Sequence, residues 1–343
     1  MKYLVTGGSG FLGINLIRHL LGEGAEVRSF DIADFTYPEA AYVDAVLGDV
    51  RDSASVARAM RGVDAVIHCA AALPLYSDYD IVSTDVSGTE NILAAAASAG
   101  VSRVVYISST AVYGILSACL ADEDTPLVGV GPYGKAKIDA EALCLSYRRR
   151  GMCVPILRPK SFVGPERLGI FSLLYEWAFS GRNFPIIGSG HNRYQLLDVA
   201  DLCSFISTVL HADARIANDT FNVGAREFST VREEYQAVLD RAGHGKRVIS
   251  FPAGPAIAAL RMLHACRLSP VYPWVYETAG KDSYVSIAKA ERELGYSPLY
   301  SNMDALLRNY EWYIANRPAS GARGISHRTS WRGGMLDFLK LFF

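Results

Sequence analysis

The sequence predicts an α/β fold: a doubly wound parallel sheet with a smaller C-terminal domain. Three observations lead there. Short apolar runs alternate with longer, helix-periodic stretches from residue 2 to about residue 165. "TGGSGFLG", residues 6–13, places Gly7, Gly10 and Gly13 between the first apolar run and the first helical stretch. Polar and small-residue motifs then recur where the apolar runs end, the edge at which such sheets bind ligands.

Lys2 to Thr6 reads as a short buried strand. Phe11 to Leu21 reads as a largely buried helix, with apolar side chains at Phe11, Leu12, Ile14, Leu16, Ile17, Leu20 and Leu21. Glu26 to Phe30 follows as a second strand and ends at Asp31. The three form a βαβ unit of about 30 residues, the size of a Rossmann-type dinucleotide-binding unit. Gly7 allows the tight turn, Gly10 lets a pyrophosphate approach the backbone, and Gly13 lets the helix pack close to the sheet. The phosphates then rest on the helix N-terminus, where N–H groups and the dipole favour anions. Asp31 can accept hydrogen bonds from an adenosine ribose and repels a 2′-phosphate. Arg28 precedes it and no arginine follows directly, so the reading is NAD and not NADP.

The alternation continues. Val43 to Leu47 leads into "GDVRD", Asp64 to His68 ends in "HCAAA", Val104 to Ile107 ends in "SSTAVYG", and Val154 to Leu157 runs into "RPKSFVGP". Helices fit between them, including Thr89 to Ala99 and Ile138 to Arg149. Beyond about residue 165 the pattern loosens and Phe171, Tyr175, Trp177, Phe179, Phe184 and Pro185 crowd together. The expected division is therefore 1–165 for the dinucleotide domain, rejoined by about 194–225 through "LLDVADLCSFISTVL". Residues 166–193 and 226–316 form the substrate domain, and 317–343 a basic and apolar tail.

Composition narrows the function. The chain has 343 residues, half of them apolar, enough for one large core or two smaller ones. A formal net charge of -1 gives no electrostatic case for nucleic acid. The six cysteines, at 69, 119, 144, 153, 203 and 266, show no CxxC pair and no disulfide framework, which points to a reducing, cytoplasmic setting. The histidines form no HxxxH or HExxH pattern, and His264 with Cys266 is more simply packing than a metal site. No signal peptide is expected at the N-terminus, and no apolar run reaches the ~20 residues of a spanning helix.

"GPYGKAK" places Tyr133 and Lys137 four residues apart, on one helical face, just behind Pro132, a good helix opener. A phenol whose ordinary pKa is about 10 is a poor base at neutral pH. A nearby ammonium and a helix N-terminus both favour phenolate, so Tyr133 is expected to have a lowered pKa. It can then take a proton from a substrate hydroxyl while hydride leaves for the nicotinamide. Lys137 would also hold the nicotinamide ribose, and Ser109 can donate to the developing substrate oxygen.

These stretches together resemble the extended short-chain dehydrogenases/reductases, the NAD-dependent epimerase/dehydratase family. The matching segments are "TGGSGFLG", Asp31, "GDVRD", "VIHCAA", "VSGTENIL", "VVYISSTAVYG", "YGKAK", "LRPKSFVGP", "LLDVADL", "FNVG" and "AERELGYSP", in order from residue 1 to about 300. The resemblance implies that Ser109, Tyr133 and Lys137 are the catalytic triad. It implies that Gly7, Gly10, Phe11, Leu12 and Gly13 carry the phosphates, that Asp49 and Val50 flank adenine, and that Ala70 and Ala71 line the cofactor. Ser108 and Pro159 are expected beside it.

Departures from the family pattern concern the substrate. Family 4,6-dehydratases carry an acidic pair after the catalytic Ser or Thr, whereas Thr110 and Ala111 follow Ser109 here. Nucleotide-sugar members have an asparagine where Ser161 stands, and an arginine where Tyr194 stands beside Arg193. Their usual histidine is Asp198 here. Thr110, Ser161 and Arg193 are the candidate substrate contacts. "FPAGPAIAALRMLHACRLSPVYPW", residues 251–274, is apolar and similar to the matching region of 3β-hydroxysteroid dehydrogenase-like members, although an apolar helix is usually core.

The tail segment "WRGGMLDFLKLFF" puts Met335, Phe338, Leu339 and Phe342 on one helical stripe. Arg317, Arg323, Arg328, Arg332 and Lys340 face a single acid, Asp337, and Trp331 suits a headgroup layer. The tail fits an interfacial helix on a membrane's inner face, or a segment docking on its own domain or on a partner in a homodimer. The expected function is NAD-dependent hydride transfer at a secondary alcohol or ketone, on a hydrophobic cyclic alcohol of steroid or isoprenoid type that an interfacial tail would let it meet at a membrane. The alternatives are 4-epimerisation of a nucleotide sugar and a non-catalytic NAD(H)-sensing protein. The intact Ser109, Tyr133 and Lys137 speak against the last.

Overall fold

The structure, a computed structural model, describes residues 1–115, 120–265, 276 and 278–317. Cys119, Cys266 and the tail positions Trp331, Met335, Phe338, Leu339 and Phe342 lie outside the described residues. Among the described residues no helix is long and apolar enough to cross a membrane.

Two compact units divide the chain. The first comprises Met1–Phe162, Val199–Gly224 and Val285–Leu299. Its strands are β1 (Lys2–Thr6), β2 (Glu26–Asp31), β3 (Val43–Leu47), β4 (Ala65–His68), β5 (Arg103–Ile107), β6 (Ile156–Pro159) and, after the second unit's first segment, Thr220–Val223. The helices that alternate with them are α1 (Phe11–Gly22), α2 (Ser53–Ala59), α3 (Asp78–Val82), α4 (Gly88–Ala99) and α5 (Gly131–Arg149). A π-helical turn, Ser83–Ser87, joins α3 to α4. From the Thr220–Val223 edge, the seven strands run β6, β5, β4, β1, β2, β3, all parallel.

Strands buried on both faces need near-continuous apolar sequence. β4 and β5 are buried throughout, and only Lys2 of β1 is partly exposed. On one face Leu4, Phe30, Val66, Val104, Tyr106 and Ile156 pack with Ile92, Leu93 and Ala96 of α4 and with Ala140 and Cys144 of α5. Burying each Leu, Ile or Val side chain contributes about 1.5–3 kcal/mol.

The second unit comprises Val163–Asp198, Ala225–Tyr284 and the described residues from Tyr300 on. It opens with α6 (Phe171–Phe179) and β7 (Phe184–Ile187). The chain then re-enters the first unit at Val199, forming α7 (Val199–His211) and β8 (Thr220–Val223). Helix α7 packs along α1. The second unit resumes with α8 (Val231–Ala242), β9 (Val248–Phe251), parallel to β7, and α9 (Ala253–Ala265). Later come α10 (Ala288–Leu294), in the first unit, and α11 (Asn302–Ala315). α8 and α11 open on capping boxes, Thr230 with Glu233 and Ser301 with Asp304. The aromatic run seen in the sequence becomes core: Phe171, Tyr175, Tyr310 and Tyr313 pack with Leu174, Val238, Leu239 and Leu306.

Residues 285–299, which the sequence reading kept with the substrate domain, pack instead on the sheet's last strand. Tyr296 donates from its hydroxyl to Gly224 O at 3.0 Å, and Lys289 pairs with Asp219 at 2.7 Å. Arg317, counted above with the tail, lies over the Phe179 ring and 3.3 Å from Glu176. The apolar segment after residue 251 is not core where it is described: no side chain from Ala253 to Leu263 is buried, and Met262 is 66% exposed.

Candidate active site

The site begins where the sheet order reverses. The chain leaves β1 toward β2 and β3, then crosses back to place β4 on β1's other side. A crevice between the carboxyl ends of β1 and β4 follows from that topology. Gly7 occupies it in the left-handed region, φ +68°, and a Cβ there would lie 2.9 Å from Ala70 Cα. A Cβ on Gly13 would lie 2.2 Å from Gly7 O. Both loops are thus in backbone-to-backbone contact. Gly10 caps α1 without any capping side chain, and a Cβ built on it would meet only Gly7 O, at 3.1 Å. A helix N-terminus left bare in this way suits a pyrophosphate. Phe11 and Leu12 begin the helix and are buried, with Phe11 stacked on Phe162 at 5.5 Å.

Asp31 ends β2 beside this turn. Its carboxylate accepts from Ser9 N–H and Ala33 N–H, both at 2.9 Å. Burial pushes the carboxyl above its ordinary value and these backbone donors pull it back. Each oxygen retains acceptor capacity for a ribose hydroxyl. Arg28 is committed elsewhere, to Asp44 at 2.7 Å and to Ala59 O and Arg61 O. Asp49 is gripped by Arg51, at 2.6 Å, which holds its carboxyl below the usual range. Val50 is buried, and its carbonyl accepts from Asn91 at 2.9 Å. Ala70 N–H donates to Thr6 Oγ1 at 3.2 Å, and Ala71 is exposed. Bare backbone at Gly7 and Gly10 and the acceptor Asp31 thus gather at the carboxyl ends of β1 and β2, an arrangement that fits a dinucleotide.

Helix α5 starts at Gly131, with Pro132 in its first turn, so Tyr133 sits at the helix N-terminus and Lys137 one turn on. Ser109 follows β5, and its Oγ accepts from Ala111 N–H at 3.1 Å, capping the short turn Thr110–Tyr113. The same hydroxyl lies close enough to Tyr133 to favour its phenolate form. Lys137 Nζ lies 5.7 Å from the Tyr133 ring centre, 5.1 Å from that of Tyr106, and donates to Ile107 O at 3.3 Å. The structure therefore brings Ser109, Tyr133 and Lys137 together at the carboxyl end of β5, with Thr110 adjoining.

One expectation is corrected. Tyr133 has a raised pKa and not a lowered one. Burial is the main cause; Lys137 works the other way, but Asp85 adds to the rise. Asp85, which the sequence reading did not single out, pairs with Lys137 at 3.0 Å, and the two side chains are 0% and 2% exposed. Burial opposes the charge on Lys137, yet Asp85, then Tyr106 and Tyr133, hold it well above the ordinary lysine value.

A second buried chain supports Asp85. Thr89 donates from its hydroxyl to Asp85 O at 2.6 Å, so its oxygen accepts from His68 Nε2–H at 3.1 Å. His68 Nδ1 then accepts from the Thr6 hydroxyl at 2.7 Å, and Thr6 accepts from Ala70 N–H. This direction fixes the histidine tautomer. Burial, then Lys137, pushes His68 down to about 3 and keeps it neutral. A third network braces α5: Ser108 donates to Glu141, and Glu141 accepts from Arg158 at 2.6 Å and 3.0 Å. Ser108 thus turns its hydroxyl into the helix–sheet interface.

Pro159 ends β6 and Lys160 follows it, both buried, and burial lowers Lys160 to about 7. Ser161 follows, half-buried. Arg193 belongs to the second unit. There its guanidinium lies 5.0 Å and 5.9 Å from the ring centres of Phe228 and Tyr284. Among the described residues, no three His, Cys, Asp or Glu side chains are grouped to hold a metal.

Comparison with known proteins matches residues 3–224 to the NAD dependent epimerase/dehydratase family. An uncharacterised protein of Sinorhizobium fredii is 36% identical, over 98% of this chain and 85% of its own. The 3 beta-hydroxysteroid dehydrogenase/Delta 5-->4-isomerase of Mycobacterium tuberculosis is 31% identical, over 92% and 90%. Among solved structures, the dTDP-glucose 4,6-dehydratase DesIV of Streptomyces venezuelae, crystallised with NAD, is 30% identical with a TM-score of 0.74, over 92% and 98%.

Proposed function

Since the chain belongs to the NAD-dependent epimerase/dehydratase family, we propose that it transfers hydride between NAD and a secondary alcohol or ketone through Ser109, Tyr133 and Lys137. The observation that carries this reading is the convergence of those three side chains at the carboxyl end of β5. NAD, when bound, supplies the hydride acceptor. Gly7, Gly10 and Gly13 bring bare backbone to its pyrophosphate, and Asp31 takes its adenosine ribose. Ser109 orients the substrate oxygen, and Tyr133 takes the hydroxyl proton in oxidation or gives it back in reduction. Lys137 would hold the nicotinamide ribose.

A hydrophobic cyclic alcohol of steroid or isoprenoid type is the favoured substrate. Thr110 and Ala111 supply no acid where elimination of water would need one. Within the second unit, helix α9 leaves Ile257, Leu260 and Met262 unburied. The mycobacterial steroid dehydrogenase is as near in sequence as the sugar-nucleotide dehydratase. Arg193 favours a second reading, a nucleotide-sugar 4-epimerase, because its exposed guanidinium between two rings suits a phosphate.

The test is NAD reduction against 3β-hydroxysteroids, cyclic isoprenoid alcohols, and UDP- and dTDP-sugars, with mass spectrometry of co-purifying small molecules. Turnover of the apolar alcohols is expected. Sugar-nucleotide epimerisation without alcohol oxidation establishes the second reading. Cofactor binding with no turnover of any class leaves the NAD(H)-sensing alternative.

A further inference from the structure

Resting on that reading of the site, we propose that Asp85 is a positioning residue for Lys137 and Tyr133: it fixes the ammonium, offsets its charge, and so keeps Tyr133 a phenol until another positive charge enters the site. The geometry is specific. Asp85 lies on the π-helical turn Ser83–Ser87, and such turns displace one residue from the ordinary helical face. That displaced carboxylate meets Lys137 Nζ at 3.0 Å, with both groups out of water. Its backbone is held by Thr89, which is held by His68, which is held by Thr6 at the end of β1. Asp85 is therefore tied to the strand that carries the glycine turn.

Charge counting gives the consequence. The groups facing Lys137 are Asp85 from the π turn, Tyr106 from β5 and Tyr133 from its own helix; His68 of β4, Cys69 just after it, and Cys144 of α5 lie within its field. Tyr133 faces Ser109, Lys137 and, at longer range, Asp85. Burial pushes the Asp85 carboxyl up and Lys137 pulls it back; as the ion pair seen at 3.0 Å, the two charges cancel. Ionising Tyr133 would leave this buried group with one net negative charge, which burial disfavours. The oxidised nicotinamide ring carries one positive charge. With it bound, phenolate restores a net charge of zero.

The same zero holds after reaction. The substrate C–H bond gives its electron pair and hydrogen to the ring, which becomes neutral. The O–H proton passes to Tyr133, which becomes a phenol, and the substrate becomes a ketone. Asp85 and Lys137 remain a pair throughout. The arrangement couples the proton on Tyr133 to the redox state of the bound cofactor. An unpaired Lys137 would instead favour phenolate in every state, and with it a poor proton donor for ketone reduction.

Tyrosinate absorbance measures this directly. The pH titration of wild-type protein minus that of Tyr133→Phe isolates Tyr133, without substrate, in the free protein and with NAD⁺ or NADH. Tyr133 should titrate above ordinary tyrosine in the free and NADH-bound protein, and lower with NAD⁺. Asp85→Asn should move the free-protein titration down by about one unit or more. An Asp85→Asn titration that coincides with wild type or rises overturns the proposal. Calorimetry of cofactor binding in buffers of different ionisation enthalpy needs no Asp85 variant. NAD⁺ binding should release a proton between the two titration points, so its affinity rises about tenfold per pH unit there. NADH binding should release none, and Tyr133→Phe should abolish the release. Equal release with both cofactors also overturns it. If these shifts occur but no alcohol or ketone is turned over, the charge offset stands and the catalytic reading falls alone.

Discussion

Arg158 holds both oxygens of Glu141: Nη2 lies 2.6 Å from Oε2 and Nε 3.0 Å from Oε1, with neither side chain more than 6% exposed. The pair joins β6 to α5 one turn beyond Lys137. It also receives Ser108, whose hydroxyl donates to Glu141, and Tyr113, which accepts from Arg158 at 2.8 Å.

Glu141→Ala leaves that guanidinium buried without its carboxylate. Breaking one side of a buried pair costs about 3–5 kcal/mol. Urea unfolding should show a clearly lower midpoint with an unchanged slope. A midpoint within error of wild type would mean that water reaches Arg158.

Tyr133→Phe keeps the ring and removes the proton carrier. Turnover should fall by ~10²–10⁴-fold. NAD affinity should remain, because Gly7 to Gly13 and Asp31 are untouched. Stopped-flow reduction of NAD and equilibrium dialysis separate the two, and near-normal turnover would sink the role assigned to Tyr133.

Gly13→Ala and Gly22→Ala should behave oppositely, although both lie in α1. At Gly13 the new methyl would meet Gly7 O at 2.2 Å and Gly8 Cα at 2.6 Å, and backbone cannot step aside cheaply. NAD binding should be lost or the protein destabilised. At Gly22 nothing lies within 4 Å, and alanine should raise stability by up to about 1 kcal/mol. Thermal melts with and without NAD check both.

His68 sets an acid limit. Its folded value is pushed down to about 3 by burial, against an ordinary 6.5. The unfolded chain therefore binds a proton first. His68's contribution is intact above pH 6.5 and is lost as pH falls toward about 3. The slope in that window approaches about 1.4 kcal/mol per pH unit. His68→Gln should unfold more easily at pH 7 and show a flatter acid limb in denaturant titrations. An acid limb parallel to wild type would refute the burial of a neutral imidazole.

The strands were legible because a parallel sheet buries both faces: β1 and β3 run over the residues predicted, and α1 differs by one. The glycine turn was legible because its spacing serves backbone contact. Charges were harder to read. Lys137 and Glu141 are four apart on α5 and look like a solvated pair, yet each bonds a different element, Asp85 and Arg158. Asp85 itself was hidden by the π turn, which breaks the periodicity that places side chains on a face. The rise in Tyr133 was hidden with it: burial of the phenol is its main cause, and Asp85 adds to it. Residues 285–299 are polar enough to suit any surface, and only their contacts with β8 and Asp219 assign them.

Arg103, on β5, points its guanidinium at the carbonyls of Val209 and Leu210 at the end of α7 and of Ala212 just beyond it. That bond joins positions more than a hundred residues apart, and β8 and α10 close the same unit later still. During synthesis the first 165 residues leave the ribosome with β6 as an open sheet edge, and they wait for α7, β8 and finally Leu299 before that edge and face are covered. Such an edge invites pairing with other chains. The cofactor-binding half is thus not a module that can be cut out at residue 165; its folding depends on segments made after much of the second unit has already emerged.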